Sequence, residues 1–188
     1  MEVLLLTERA SSAQDSAQPK RGRSWIIIGF VTILALGALL FAALGSAGNG
    51  VRLGEPAPAF RVATRDGVEI DSLKLRGSVV VINFFASWCK PCQTEAPDLQ
   101  AIWEDYKGRG VVMVGIAHED VEARIADFVR QHGITFPIAN ADRSAGRKFG
   151  ITGVPETYVI DREGTLVYKR LGPIEPAELR SALDQALQ

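Results

Sequence analysis

The sequence predicts an α/β domain, a mixed central sheet flanked by helices, with an N-terminal β-hairpin and one N-terminal transmembrane helix. Three observations carry this expectation. A run of twenty residues without a charge lies near the N-terminus. Apolar strand-like runs alternate with helical patterns through the middle of the chain, and two short strands joined by a tight turn precede the last helix. At 188 residues and 47% hydrophobic content, without an internal repeat, the chain has room for one ordinary domain plus appendages. Its net charge of -1, with Lys and Arg scattered singly among the acids, gives no nucleic-acid face.

Residues 1–24 are rich in Ala, Ser and Gln, show no periodicity, and end in the basic cluster Lys20, Arg21 and Arg23, so they read as a disordered cytoplasmic tail. Residues 25–44, WIIIGFVTILALGALLFAAL, would span roughly 30 Å of hydrocarbon at about 1.5 Å per residue, which is one membrane crossing. Two other readings compete. A buried core helix is disfavoured because nothing polar interrupts the run. A cleaved signal peptide has its small-residue pattern in Gly45-Ser46-Ala47, but the run exceeds the roughly 7 to 15 residues of a secretory apolar region, which favours an uncleaved anchor. The basic residues lie before the span, so the positive-inside rule places the N-terminus in the cytoplasm and everything from Val51 onward outside it. Residues 45–53 form a linker that starts with the flexible GSAGNG, and residues 54–188 form the exported domain.

Within that domain, Phe60 to Ala63 and Val68 to Asp71 flank Asp66-Gly67, a dipeptide suited to a hairpin turn. Ser78 to Ala86, SVVVINFFA, is the continuous apolar run of a central strand covered on both faces. Pro91 to Lys107 reads as a helix closed by Gly108, with Leu99, Ile102, Trp103 and Tyr106 at helical spacing on its inner side and Pro97 as a kink. Val111 to Ala117 is a second buried strand. Val121 to His132 is a second helix, with Ile125, Phe128 and Val129 inward and Gly133 as its stop. This order implies parallel strands with right-handed crossovers. Glu156 to Ile160 and Leu166 to Leu171, separated by Asp161-Arg162-Glu163-Gly164, should then pair as an antiparallel hairpin, and Pro176 to Leu187 closes the chain with a helix.

Both cysteines of the chain, Cys89 and Cys92, fall where the central strand hands over to the first helix of this domain. A structural zinc site normally needs four ligands, and His118 and His132 have no ligand-like spacing with the pair, so no metal is expected. A structural disulfide suits an exported domain, but a bridge between residues three apart constrains the unfolded chain little. Redox chemistry accounts for more of the neighbours. Cys89, just before the helix, has its thiolate stabilised by unpaired N–H groups and the helix dipole, which makes it the nucleophile. Lys90 adds positive charge, and Pro91 suits the first turn. Cys92, one turn in, is placed to resolve a mixed disulfide. Glu95, three residues further on the same helical face, would carry the proton to or from Cys92 if burial raises its pKa; otherwise it is an ordinary exposed Glu.

The run Trp88-Cys89-Lys90-Pro91-Cys92 after an apolar strand, with Gly153-Val154-Pro155 before another, resembles the two signatures of the thioredoxin-fold proteins in order and spacing. The resemblance covers roughly residues 51–188. It implies a thioredoxin-like fold, a redox-active Cys89–Cys92 disulfide, a cis Val154-Pro155 bond facing the cysteines, and substrate binding by Trp88, Val154 and Pro155. The lead-in Gly54 to Phe60, the Glu95-Ala96-Pro97 after the motif, and the run Gly153 to Asp161, GVPETYVID, resemble the membrane-anchored TlpA/ResA and CcmG/DsbE proteins. That resemblance implies reduction of disulfides outside the cytoplasm, chiefly of apocytochrome c, with electrons from a membrane relay of the CcdA or DsbD kind and no cofactor. It leaves open another exported substrate, copper-centre assembly included, and a non-catalytic binding module. Asn83 stands where cytoplasmic thioredoxins have a buried Asp, and because an amide cannot exchange protons the role passes to Glu95. Lys90-Pro91 in place of Gly-Pro keeps the reduction potential from being read across.

Peroxiredoxins share the Pro-Ala-Pro-x-Phe lead-in and Thr94-Glu95. Their peroxidatic cysteine needs a Thr three residues before it and a Pro seven before it. The chain offers Cys89 and Phe85 before Cys92, and Ala86 and Ile82 before Cys89, so that pocket is missing. A Sco-type copper chaperone would need a wider cysteine spacing and a matched distal His.

Overall fold

The computed structural model describes residues 22–45, 51–140 and 143–188. The expected tail up to residue 21 and the linker segment 46–50 lie outside the described residues. The chain forms two compact units, Met1–Ala47 and Gly48–Gln188. In the first, helix α1 (Gly22–Gly45) covers the uncharged run, and Ile27, Phe30, Ile33 and Leu36 along it are exposed. Among the described residues no helix is long and apolar enough to cross a membrane.

The second unit opens with the expected hairpin, β1 (Arg61–Ala63) against β2 (Glu69–Asp71), turned through Gly67 at φ 84. A short 3-10 turn, Ser72–Leu75, follows, capped by the Asp71 carboxylate; the sequence expectation had no element there. Next come β3 (Val79–Phe85), α2 (Lys90–Tyr106), β4 (Val111–Ala117) and α3 (Glu122–Gln131), each close to its predicted bounds. Helix α2 continues through Pro97, so the proline removes one N–H from the helix without ending it. Two further elements follow, β5 (Ile138–Ala139) and α4 (Arg143–Phe149), and then β6 (Glu156–Ile160), β7 (Leu166–Leu171) and α5 (Pro176–Ala186).

The main sheet has the order β5-β4-β3-β6-β7. Strands β3, β4 and β5 are parallel, whereas β6 runs antiparallel to β3 and β7 antiparallel to β6, which makes the sheet mixed as expected. Every residue of β3 is buried, because alternate side chains enter two different cores. Val79, Val81 and Phe85 face a core built with Leu99 and Ile102 of α2, Phe128 of α3 and Leu183 of α5. Val80, Ile82 and Phe84 face the other, with Phe60, Phe149 and Tyr158. Asn83 shares the parity of the first set, so the strand delivers one amide beneath α2 in an otherwise apolar row. The chain thereby carries the last residues of β3 to the sheet's end, where a single loop, residues 86–89, leads into α2.

Candidate active site

Cys89 is the N-cap of α2: its backbone is extended (φ -80, ψ 111), and its sulfur accepts the Cys92 N–H at 3.2 Å. Pro91 fills the first turn, where a missing N–H leaves no helical bond unmade. The two sulfurs are joined in a disulfide, with the two α-carbons 5.3 Å apart. Both cysteines are buried, Cys92 more completely at 1% exposure against 5% for Cys89. That order fits an attacking thiol at Cys89 and a resolving one at Cys92, although the difference is small. Lys90 and Pro91 beside them are exposed.

Across the sheet's end, the Val154–Pro155 bond is cis, as the resemblance implies. The Val154 carbonyl oxygen lies 3.5 Å from the Cys89 sulfur, so the expected substrate-docking segment and the nucleophile are adjacent. Trp88 is 55% exposed, and its indole N–H donates to the Glu119 carbonyl at 3.2 Å. An exposed aromatic residue therefore stands directly before the cysteine.

Glu95 is buried at 4% exposure, one turn past Cys92. Its Oε1 accepts the Asn83 amide N–H at 3.0 Å and its Oε2 accepts the Ile174 backbone N–H at 3.0 Å. Asn83 also donates to the Thr157 hydroxyl at 3.0 Å, which ties the carboxyl to β3 and β6. Burial pushes the carboxyl up to about 7, and Asp98 nearby pushes the same way, against the two hydrogen bonds, which favour the ionised form. A carboxyl poised there exchanges a proton at neutral pH. A cleft of about 460 Å³ lined by Lys90, Pro91, Thr94, Glu95, Pro173 and Ile174 gives it a route to solvent. A larger cleft of about 720 Å³, between β7 and α5, includes neither cysteine nor Glu95.

Several participants have no role that the sequence pattern assigns. The Ile174 N–H binds Glu95 directly, and Thr157, within the Gly153 to Asp161 run, holds the Asn83 amide that also binds it. The loop before Cys89 is bound to the β4–α3 turn, where Asp120 accepts the Ser87 N–H at 2.6 Å and His118 N–H donates to the Phe85 carbonyl at 2.8 Å. Gln93 of α2 closes the same loop by donating to the Ser87 carbonyl at 2.7 Å. Among the described residues, no group of three or more His, Cys, Asp or Glu could hold a metal ion.

Residues 53–169 match the model of the AhpC/TSA family. The thiol-disulfide oxidoreductase ResA of Bacillus thuringiensis (strain Al Hakam) is 28% identical over 159 residues, which is 84% of this chain and 92% of that protein. A solved thiol:disulfide interchange protein of the thioredoxin family from Chlorobium tepidum TLS has a TM-score of 0.67 at 32% identity, covering 73% of this chain and 99% of the other. A secreted Mycobacterium tuberculosis disulfide oxidoreductase homologous to E. coli DsbE gives 0.60 at 25%, covering 67% and 95%.

Proposed function

The chain belongs to the AhpC/TSA family and is a thiol:disulfide oxidoreductase of the ResA and DsbE type, and from that premise we propose that it reduces disulfides of exported proteins, apocytochrome c foremost. The observation that carries the chemistry is the Cys89–Cys92 disulfide at the N-terminus of α2, with the Val154 carbonyl of the cis Val154–Pro155 segment 3.5 Å from the Cys89 sulfur. The direction, reduction of the substrate, is supported by the resemblance of the Gly153 to Asp161 run to the CcmG/DsbE proteins.

In the reduced protein the Cys89 thiolate, favoured by the Cys92 N–H at the helix N-terminus, attacks one sulfur of a substrate disulfide lying along Val154 and Trp88. A Cys89–substrate bond forms, the substrate S–S bond breaks, and one substrate thiolate leaves. Glu95 takes the Cys92 proton, and the Cys92 thiolate attacks the Cys89 sulfur. The Cys89–Cys92 bond forms as the substrate's second thiolate departs, and the two substrate thiolates take up protons. Two electrons have passed to the substrate, and the protein is left as the disulfide the structure contains. A membrane dithiol donor of the CcdA or DsbD kind restores the reduced form.

The uncharged sequence run 25–44, with Lys20, Arg21 and Arg23 before it, is what supports an anchor with the N-terminus cytoplasmic and the catalytic domain on the extracytoplasmic, periplasmic side. The secreted mycobacterial relative supports the same side of the membrane. Apocytochrome c as substrate rests on the resemblance of the Gly153 to Asp161 run. The test is a trap: reduced Cys92→Ser protein, mixed with a disulfide-bonded Cys-x-x-Cys-His peptide, should accumulate a covalent adduct through Cys89 that the Cys89→Ser protein does not form. No adduct, with Cys89 inert to alkylation, would overturn the assignment.

A further inference from the structure

We propose that Asp120, on the turn between β4 and α3, is a positioning residue that holds Cys89 at the N-terminus of α2. Its side chain is 0% exposed, and both carboxylate oxygens face donors. Oδ2 accepts the Ser87 N–H at 2.6 Å, two residues before the nucleophile. Oδ1 accepts the Val121 N–H at 2.8 Å and the Arg124 Nε–H at 3.3 Å. One carboxylate therefore joins the loop that carries Cys89 to the first turn of α3.

The turn reaches the same loop a second time. Glu119 adopts φ 46, the left-handed region that a non-glycine residue enters uncommonly, and its carbonyl receives the Trp88 indole N–H at 3.2 Å. Gln93 fixes the Ser87 carbonyl from the α2 side. Ser87 is thus held at its N–H from one element and at its carbonyl from another, which leaves the residues between it and the Cys92 N–H little freedom. The contact matters for chemistry because the Cys89 thiolate is favoured only while its sulfur stays on the Cys92 N–H. Burial pushes the Asp120 carboxyl up, but its donors, the Ser87 N–H foremost, outweigh burial and hold it ionised, below the usual carboxylate range.

Charge and geometry make opposite demands at this site. A buried negative charge near Cys89 disfavours its thiolate through space, whereas the hold on Ser87 favours the thiolate by keeping the helix cap in register. Asp120→Asn alters both at once, and the sign of the change in the Cys89 midpoint shows which dominates. It removes the charge at unchanged shape, and its single oxygen cannot accept both the Ser87 and Val121 N–H groups, so one donor faces an NH2.

This inference rests on Cys89 being the nucleophile, and one experiment keeps the two failures apart. The full-length chain with Cys92→Ser carries a single thiol, and its rate of alkylation by iodoacetamide against pH gives the Cys89 midpoint. Slow, thiol-like reaction in this parent would sink the nucleophile assignment. With a reactive parent, adding Asp120→Asn or Asp120→Ala should raise the midpoint by about half a unit or more and slow alkylation at pH 7 about threefold. A midpoint that falls indicates a through-space charge alone, and one that stays fixed while the melting temperature drops indicates a merely structural residue; either result overturns the proposal. If the Ala variant does not fold, the isosteric Asn variant decides.

Discussion

At Glu95 two opposing effects meet. Two hydrogen bonds, from Asn83 and the Ile174 N–H, favour the carboxylate, yet removal from water outweighs them and leaves the group near neutrality at about 7. Replacing Asp by Asn83 on the central strand changes the chemistry in kind: the amide cannot take a proton, but it orients the group that can. Glu95→Gln should therefore slow resolution of a pre-formed mixed disulfide by a factor on the order of 100 and abolish the step near pH 7 in the rate profile. Stopped-flow release of substrate thiol measures both, and an unchanged profile would return Glu95 to a structural role. The two sulfurs, the helix start and the carboxyl are legible in the sequence because they lie within seven residues of one another on one helix. The Asp120 to Ser87 bond is not, because a carboxylate meeting a backbone N–H thirty-three positions away leaves no pattern in the residue types.

Element by element, legibility follows length and burial. β3 is plain because a strand covered on both faces must be apolar at every position. β5, two residues, and α4, seven residues with a buried Gly146, are too short to establish a period, so no element is predicted over the segment they occupy. β5 pairs in parallel with β4, with Ile138 opposite Gly115. A Cβ there would lie 2.6 Å from Ile138 Cδ1 and 3.2 Å from the Phe136 ring, both side chains buried. Gly115→Ala should cost about 1–3 kcal/mol through overpacking, read by urea unfolding of the oxidised protein. A variant as stable as the parent would mean that β5 is held more loosely than this contact requires.

Over the whole molecule, the same carboxyl that serves the chemistry sets a pH dependence of stability. The Glu95 pKa is raised from 4.5 in the unfolded reference to about 7 in the fold, so the folded state holds the proton more tightly. Its stabilising effect is complete below about pH 4.5 and is lost as pH rises through 7. The full window corresponds to on the order of 3 kcal/mol before relaxation. Asp66, Asp71 and Asp120 lie below their usual values and act in the opposite sense, losing stability only under acid conditions. Between pH 5 and 8 the wild type should thus lose more unfolding free energy than Glu95→Gln, by about 1–3 kcal/mol; parallel curves would contradict the assignment of this slope to Glu95.

Direction of electron flow decides what such a molecule does in its compartment, since an oxidant and a reductant use the same two sulfurs. The resemblance of the Gly153 to Asp161 run to the CcmG/DsbE proteins argues for the reductant. Equilibrating the full-length chain with defined ratios of reduced and oxidised dithiothreitol, and counting free thiols, gives the potential of the Cys89–Cys92 couple. A value near about -270 mV, as in a reducing thioredoxin, is what a reductant of this kind requires; one near about -120 mV, in the range of a strong oxidant, would contradict it.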